Sequence, residues 1–311
     1  MHLTKLPDLG PELVARIVED GERIKADPNA VRDAMQRKTL LMIFEKPSLR
    51  TRLSFEAGMT QMGGHAIFYS IKDSPLGKKE SMADTAEVAS RMVDAIMARL
   101  FEHKDLLELA RHSRVPVINA LTNHTHPCQA LADLMTIREK KGRIAGLKLA
   151  YFGDCFNNVT HSLLYAGALT GMHVTVACPQ GKQYEPDPAV LDEACHLAAR
   201  SGAALQVTHD PAEAAKKADV VYTDSWMSYH IPKEKEPERV AIFGHYQVNA
   251  AVMARAKRDA IFMNCLPAIR GMEQTAEVID GPQSVVFDQA ENRLHVQKAL
   301  LVALIGSKVA S

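Results

Sequence analysis

The chain has 311 residues, with 37 lysines and arginines against 37 aspartates and glutamates; this balance offers no net field for nucleic acid or a membrane surface, so any anion selectivity is local. The length exceeds one ordinary core and suits two domains of roughly 150 residues each. The five cysteines, Cys128, Cys155, Cys178, Cys195 and Cys265, are odd in number without Cys-x-x-Cys spacing, which argues against a disulfide framework or a structural zinc and fits a reducing, cytoplasmic setting.

The opening stretch MHLTKLPDLGPELVARIVEDGERIKAD predicts a short amphipathic helix after a proline and lacks the basic and apolar blocks of a signal peptide. No run approaches the roughly 20 apolar residues of a membrane span. Short apolar runs then alternate with amphipathic helical windows, the pattern of parallel strands joined by crossover helices. The predicted class is α/β, in two domains, each a parallel sheet flanked by helices. In the first half the strand candidates are TLLMIF from Thr39, HAIFYS from His65, VDAIMARL from Val93 and VPVINAL from Val115. After the basic turn EKKGRIAG come KLAYFG, HVTVAC, ADVVYT and AIFMNC. The boundary falls near Arg138 to Gly146, which divides the chain into residues 1–140 and 141–290. The tail ENRLHVQKALLVALIGSK is a good helix former with apolar residues at helical spacing and predicts a final helix over 291–311.

In open parallel sheets, ligands bind outside the carboxyl ends of the strands. Just past those ends the first series places Ser48 to Arg52, Arg99 and the segment His124 to Gln129. The second places Asp154 to Asn158, Asp224 to Tyr229 and Asn264 to Pro267. Cationic and neutral donors dominate the first set; the second offers a carboxylate, amides, a hydroxyl and a thiol. The contrast points to an anion half-site and a half-site for an amine.

Ser48-Leu49-Arg50-Thr51-Arg52, opening a helix, gathers backbone N–H groups, two hydroxyls, two guanidiniums and the positive helix end, which is the physics of a phosphate cradle. Its bland alternative is a capped helix with two solvated arginines. Arg99, His126 and Gln129 add donors able to converge on the same anion and favour the cradle. The His-x-His of NHTHPCQ has no third ligand at metal spacing; a neutral His126 can instead polarise a carbonyl oxygen. FGDCFNN lacks G-x-G-x-x-G and a P-loop is absent, so dinucleotide and ATP binding rank low. Asn157 and Asn158 either cap a helix or meet a zwitterion, Asp224 is placed to hold an ammonium, and Cys265 is chemical only if it lines the crevice.

The ordered set SLRTR, HPCQ, GDCFNN, DSWMS, YQVN, NCLP and GPQSVVFDQAENRLHVQKALL resembles the ornithine carbamoyltransferases of the aspartate/ornithine carbamoyltransferase superfamily across nearly the whole chain. The resemblance implies a carbamoyl-phosphate-binding domain over 1–140, completed by the last helix packing back on it, and an ornithine-binding domain over 141–290. It implies a homotrimer or a multiple of one, no cofactor and no metal, and transfer of a carbamoyl group to L-ornithine to give L-citrulline and phosphate in arginine biosynthesis. On this resemblance Ser48, Leu49 through its backbone, Arg50 and Thr51 hold the phosphate. Arg99, His126 and Gln129 meet the phosphate and carbamoyl oxygens, and Arg293 completes the pocket. Asn158, Asp224 and Ser228 grip the amino acid, with Tyr229 in the same loop, while Cys265 and the backbone of Leu266 lie beside the attacking amine. Arg99, His126 and Cys265 carry the chemistry.

Three positions depart from the family's pattern. Ser228-Tyr229-His230 stands where Ser-Met-Gly is usual, Asn264 replaces a histidine before Cys-Leu-Pro, and Pro75 stands where a neighbouring subunit's polar residue often reaches the phosphate, with Lys78 or Lys79 as substitutes. The first leaves the acceptor open among ornithine, lysine, putrescine, other diaminoacids and acylated ornithine. A non-catalytic sensor of carbamoyl phosphate or an amino acid is the reading from another class.

Overall fold

The computed structural model describes residues 1–71, 80–227 and 231–306. They form two units, one made of Met1–Met135 with the chain from Glu291 onward, the other of Thr136–Ala290.

The first unit opens with α1 (Gly10–Ala26) and continues through β1 (Thr39–Phe44), α2 (Leu49–Gln61), β2 (His65–Ser70), α3 (Met82–Ala89), β3 (Ala95–Arg99), α4 (His103–His112), β4 (Val117–Leu121) and α5 (Pro127–Lys141). The four strands are parallel in the spatial order β2-β1-β3-β4. The two segments AIMAR and VINAL are buried almost throughout, as a parallel sheet covered on both faces requires. Their side chains Ile96, Ala98 and Val117 join Ile43, Leu106 and Leu109 in one core. The final helix, α12 (Val286–Ile305), starts five residues before the predicted tail helix and packs on this unit. Its Val296 lies so close to Gly21 of α1 that a Cβ there would sit 3.1 Å from Cγ1. Lys25 of α1 donates to Asn292 at 2.9 Å, and Gln297 donates to Ser54 of α2 at 2.8 Å.

The second unit carries β5 (Lys148–Phe152), α6 (Asn158–Thr170), β6 (His173–Ala177), α7 (Pro188–Ser201), β7 (Leu205–Thr208), α8 (Pro211–Ala215), β8 (Val220–Thr223), α9 (Glu236–Phe243), α10 (Ala250–Arg255), β9 (Ile261–Met263) and α11 (Ala276–Ile279). Its five strands are parallel in the order β7-β6-β5-β8-β9. The strand β7 is one that a search for apolar runs passes over. At the sheet edge its sequence LQVT needs no continuous apolar run, and Gln206 is exposed.

Strand order fixes where ligands can sit. In the first sheet the chain moves from β1 to β2 on one side, then crosses to β3 on the other. In the second it moves outward from β5 through β6 to β7, then returns to β8 on the opposite side. Each reversal opens a crevice at the carboxyl ends of the central strands, the topological switch point of an open α/β sheet. The ends of β1 and β3 carry Lys46 to Arg52 and Arg99; those of β5 and β8 carry Asp154 to Asn158 and Asp224.

Helix α6 is buried from Val159 to Leu169 and lies close to its sheet through Gly167. A Cβ at Gly167 would stand 2.5 Å from Val174 Cγ2 and 2.8 Å from the carbonyl oxygen of Met172. Gly167→Ala gains about 1 kcal/mol of helix propensity but overpacks the contact by about 1–3 kcal/mol. The expected result is a lower urea midpoint at unchanged slope; a midpoint at or above wild type would show that Val174 and its strand yield without cost.

Candidate active site

Ser48 is the N-cap of α2: its backbone is extended, its Oγ accepts from the N–H of Thr51 at 3.3 Å and donates to Thr51 Oγ1 at 3.1 Å. The helix therefore begins at Leu49, and Arg50, Thr51 and Arg52 all lie in its first turn. The N–H groups of Leu49 and Arg50 have no intrahelical acceptor there, which together with the helix dipole makes an anion site. The side chain of Leu49 is 69 % exposed, which leaves only its backbone N–H at the helix start. Arg52 does not join the cradle. Its Nε lies 3.1 Å from Glu56 one turn along the exposed face of α2, and its guanidinium sits 3.9 Å from the Phe68 ring centroid. An (i, i+4) ion pair and a stacked aromatic hold it away from the helix start.

Three other elements bring groups to the same end of the first sheet. Arg99 closes β3 beyond a bulge between Ala98 and Arg99 in the pairing with β4, a device that re-aims a side chain, and it is buried. Gln129 lies in the first turn of α5, where its amide nitrogen donates to Asp133 at 2.9 Å and its oxygen accepts from Arg293 Nη1 at 2.9 Å. Arg293, 2 % exposed, also donates from Nη2 to Thr51 Oγ1 at 3.3 Å and from Nε to Gln297 at 2.8 Å. One guanidinium thus fixes α2, α5 and α12 together. His126 stands just before α5. Burial first, then the charges of Arg293, Arg99, Arg50 and Lys46, hold its pKa well below the usual 6.5, so the ring is neutral and keeps one N–H to donate.

Lys46 is the member of this group that the reading of the sequence missed. Two residues past the end of β1, it is buried, donates to Asn123 Oδ1 and lies 4.2 Å from the Phe101 ring centroid. Burial, followed by the Arg99 charge, lowers its pKa to about 8. Its signal in the sequence was position alone. The ring of the other histidine of the His-x-His, His124, packs at a tilt against that of His103, 4.8 Å between centroids, and His103 Nδ1 lies 3.0 Å from Thr122 Oγ1. Among the described residues no group of three or more His, Cys, Asp or Glu side chains is arranged to hold a metal ion.

In the second unit, Asp154 organises the turn between β5 and α6. Its Oδ1 accepts from the N–H of Phe156 at 3.0 Å, while its carbonyl accepts from Tyr151 OH at 3.0 Å and from Asn157 Nδ2 at 2.6 Å. Asn157 caps α6 by accepting from the N–H groups of Val159 and Thr160 at 2.8 Å each, and the cap sets Asn158 at the first helical position. Of the paired readings for these two amides, capping is therefore the role of Asn157. Asp224 follows β8 directly, and the Cys265 thiol donates to its Oδ1 at 3.1 Å. Cys265 is half-buried rather than sealed in a core. Asn264 is a hub: its N–H donates to Gln289 at 3.0 Å, its Nδ2 to Gln274 at 3.1 Å, and its Oδ1 accepts from the N–H of Leu266 at 2.8 Å. Leu266, at φ 55°, thus has its N–H committed to Asn264. Ser228, Tyr229 and His230, as well as Pro75, Lys78 and Lys79, lie outside the described residues.

The fold and these groups define a two-unit α/β protein with a capped helix start and a cluster of cationic and amide side chains at the switch point of one sheet and a carboxylate, amide and thiol set at that of the other. Family models agree over nearly its full length. The carbamoyl-P binding domain of aspartate/ornithine carbamoyltransferase matches residues 1–139, and the Asp/Orn binding domain matches residues 145–304. The ornithine carbamoyltransferase of Thermococcus kodakarensis is 52 % identical over 306 residues, covering 97 % of this chain and 95 % of that one. A relative from Pyrococcus furiosus named "Ornithine carbamoyltransferase, anabolic" is 54 % identical over 272 residues, covering 88 % of this chain and 85 % of that protein. The solved structure of ornithine carbamoyltransferase from Pyrococcus furiosus superposes with a TM-score of 0.93 at 50 % identity, over 98 % of this chain and 96 % of that one. The chain belongs to the aspartate/ornithine carbamoyltransferase family.

Lys46 generates a prediction with a definite sign. A bound phosphate favours the charged ammonium, and in the free protein that charge is complete only below a pKa of about 8. Affinity for carbamoyl phosphate should fall as pH rises through 8. Lys46→Met should bind it roughly ten- to a hundredfold more weakly at pH 7, the weight of one hydrogen bond to a charged group, and should lack that alkaline step. Titration calorimetry across pH 6.5–9.5 (about three units) reads both; equal affinity in the two proteins would remove Lys46 from the anion site.

Proposed function

We infer that this protein transfers the carbamoyl group of carbamoyl phosphate to the side-chain amine of L-ornithine, giving L-citrulline and phosphate in the anabolic direction toward arginine. Two named relatives at 52 % and 54 % identity support the reaction. The observation that carries it within the molecule is Arg293 bonded to Thr51 and Gln129, beside a neutral His126 that feels Arg99, Arg50 and Lys46.

In this reading the first unit is the carbamoyl-phosphate-binding domain and the second the ornithine-binding domain. Ser48, Arg50, Thr51 and the backbone N–H of Leu49 hold the phosphate. Arg99, His126 and Gln129 take the phosphate and carbamoyl oxygens, with Arg293 completing the pocket. A side-chain amine of pKa about 10.4 is neutral in roughly one molecule in a thousand near pH 7, a handicap of about 4–5 kcal/mol that desolvation and proton removal must offset. Attack on the carbamoyl carbon builds negative charge on its oxygen. Arg99 and His126 donate to that oxygen, and since the imidazole is already neutral it stabilises through its one N–H by hydrogen bonding rather than by proton transfer. Phosphate departs with its charge spread over oxygens already held by guanidiniums. On the acceptor side Asn158, Asp224 and Ser228 bind the α-amino and carboxylate groups, with Tyr229 beside Ser228. Cys265 and the carbonyl of Leu266 present neutral polar atoms to the attacking amine and the carbamoyl nitrogen, where a carboxylate would favour the unreactive ammonium.

The assembly we propose is a homotrimer or a multiple of it. Its support is the edge strand β2, whose Ile67 and Phe68 are exposed, next to α2, which exposes Leu49 and Leu53. Arg52 stacked on Phe68 joins these residues into one surface. An uncovered edge strand with apolar side chains invites pairing or covering. The cytoplasm is the proposed location, on the strength of the cysteine usage. No helix among the described residues is long and apolar enough to cross a membrane.

The deciding assay measures ureido product from carbamoyl phosphate with L-ornithine, lysine, putrescine, 2,4-diaminobutyrate and N-acetylornithine in parallel. Turnover confined to ornithine is expected. Turnover with another amine alone would reassign the acceptor to the Tyr229 loop, and silence with every amine despite carbamoyl-phosphate binding would replace the enzyme by a sensor.

Light scattering should give three times the 34.2 kDa chain mass or a multiple of that. Phe68→Asp should shift the distribution to smaller species, and a wild-type monomer would end the trimer reading.

A further inference from the structure

The acceptor half-site contains a charged pair that none of the assigned roles uses. Asp154 and Arg239 form an ion pair with side chains only 10 % and 15 % exposed. Asp154 anchors the turn that positions Asn158. Arg239 belongs to α9, and its Nε donates to the carbonyl of Trp226, two residues past Asp224. The guanidinium also lies 4.7 Å from the Phe243 ring centroid. Phe243 in turn stacks on Trp226 at 6.0 Å and meets Tyr184 edge-on at 5.4 Å, and the carbonyl of Tyr184 accepts from the N–H of Cys155 at 2.9 Å. Gly153, at φ 123°, leaves space for the Trp226 indole: a Cβ there would stand 3.0 Å from Nε1. On the other side Glu273, fully buried, accepts from the N–H of Trp226 at 3.3 Å and from that of Ile269 at 3.2 Å.

Apart from Arg239, the anchorage of α9 is slight, since Phe243 is its one buried side chain. The segment after β8, which carries Asp224, and the turn after β5, which carries Asn158, therefore share one guanidinium. Its neighbours are acidic: Asp224 acts electrostatically on both Asp154 and Glu273. Removing Arg239 would leave Asp154 buried without its cation. It would then either take up a proton or stand as a second anion competing with Asp224 for the substrate's ammonium.

We propose that the Asp154–Arg239 pair is a positioning device for the acceptor amino acid, locking Asn158 and Asp224 into one geometry. It rests on the acceptor assignment made above. Neither residue needs to touch the substrate. The pair acts by holding two strand ends at a fixed spacing and by keeping a neighbouring carboxylate neutralised, so it bears on affinity for the diaminoacid and leaves the anion cradle of the first unit untouched.

The test is steady-state kinetics on the full chain for wild type, Arg239→Gln, Arg239→Lys, Asp154→Asn and the double variant Arg239→Gln/Asp154→Asn, with the melting temperature of each. Wild type comes first: failure to turn over ornithine would sink the functional reading itself, independently of the pair. Given wild-type turnover, Arg239→Gln is expected to raise KM for L-ornithine roughly ten- to a hundredfold while KM for carbamoyl phosphate stays within about twofold, the scale of a lost buried partner. Arg239→Lys, keeping charge but losing the fork, should recover part of the loss. The double variant should be no worse than Arg239→Gln alone, because both residues act as one unit. If Arg239→Gln does not fold, the same split is read from Arg239→Lys and Asp154→Asn. Equal rises in both KM values tracking a fall in melting temperature, or no change in either, would overturn the proposal.

Discussion

Four cationic side chains crowd the carboxyl ends of β1 and β3 and their surroundings in the first unit, and this repulsion is the constraint around which that unit is arranged. Arg50, Arg99, Arg293 and Lys46 all act on His126. Guanidiniums cannot shed their charge, so the titratable members yield: burial first, and the neighbouring cations after it, hold the imidazole neutral and lower the ammonium to a pKa of about 8. Arg293 is kept in place by donating to the side-chain oxygens of Gln129, Gln297 and Thr51. These bonds fix direction, and a dianion supplies the charge that neutral amides do not. A site organised this way favours ligands with concentrated negative charge. Because binding removes repulsion as well as forming contacts, such a ligand also stabilises the folded unit by mass action.

The second unit reverses the electrostatics. Asp224 lies near enough to act on both Asp154 and Glu273, and burial pushes the Asp154 carboxyl up to about 6 even with a guanidinium beside it. The backbone is tied to these groups at many points: Asp154 accepts from Phe156, Glu273 from Trp226 and Ile269, and Asn264 from Leu266. Polar side chains here carry loops rather than pack a core, which is how a switch point with little regular structure of its own keeps a fixed shape. The Asn264 position shows the economy of the arrangement. As a buried hub with two amide partners and one backbone partner, it serves the loop as a structural bracket, a task that a neutral amide performs without any titrating ring.

Much of this was legible in the sequence. Strands TLLMIF and HAIFYS match β1 and β2 residue for residue, because each is a six-residue run of β-branched, aromatic and other apolar side chains set between polar turns, although only β1 is largely buried and β2 lies at the sheet edge. Strand β7 was not legible, since an edge strand of four residues with one exposed glutamine leaves no such run. The helix start at Ser48 to Thr51 could be read because a helix start following a strand end is a local event. Arg52 was misread for a related reason: adjacency in sequence says nothing about which side of the first turn a side chain takes, and Glu56 and Phe68 decided it.

Residues that act from a distance were the least visible. Arg293 lies 164 positions from Gln129 and 242 from Thr51, and without the family resemblance no spacing rule would have joined them. Arg239 lies 85 positions from Asp154, within a run of charges, KEKEPER, that reads as a solvated helix face. Most of that run is indeed exposed. The one member that turns inward does so because α9 follows β8 closely enough to bring it over the end of β5, the neighbouring strand. Pairing of β5 with β8 is itself a consequence of the chain reversing direction across the sheet. Strand order is therefore the quantity that converts a pattern of local signals into a site. It decides which strand ends become neighbours, and only then does a charge on a distant helix acquire a partner.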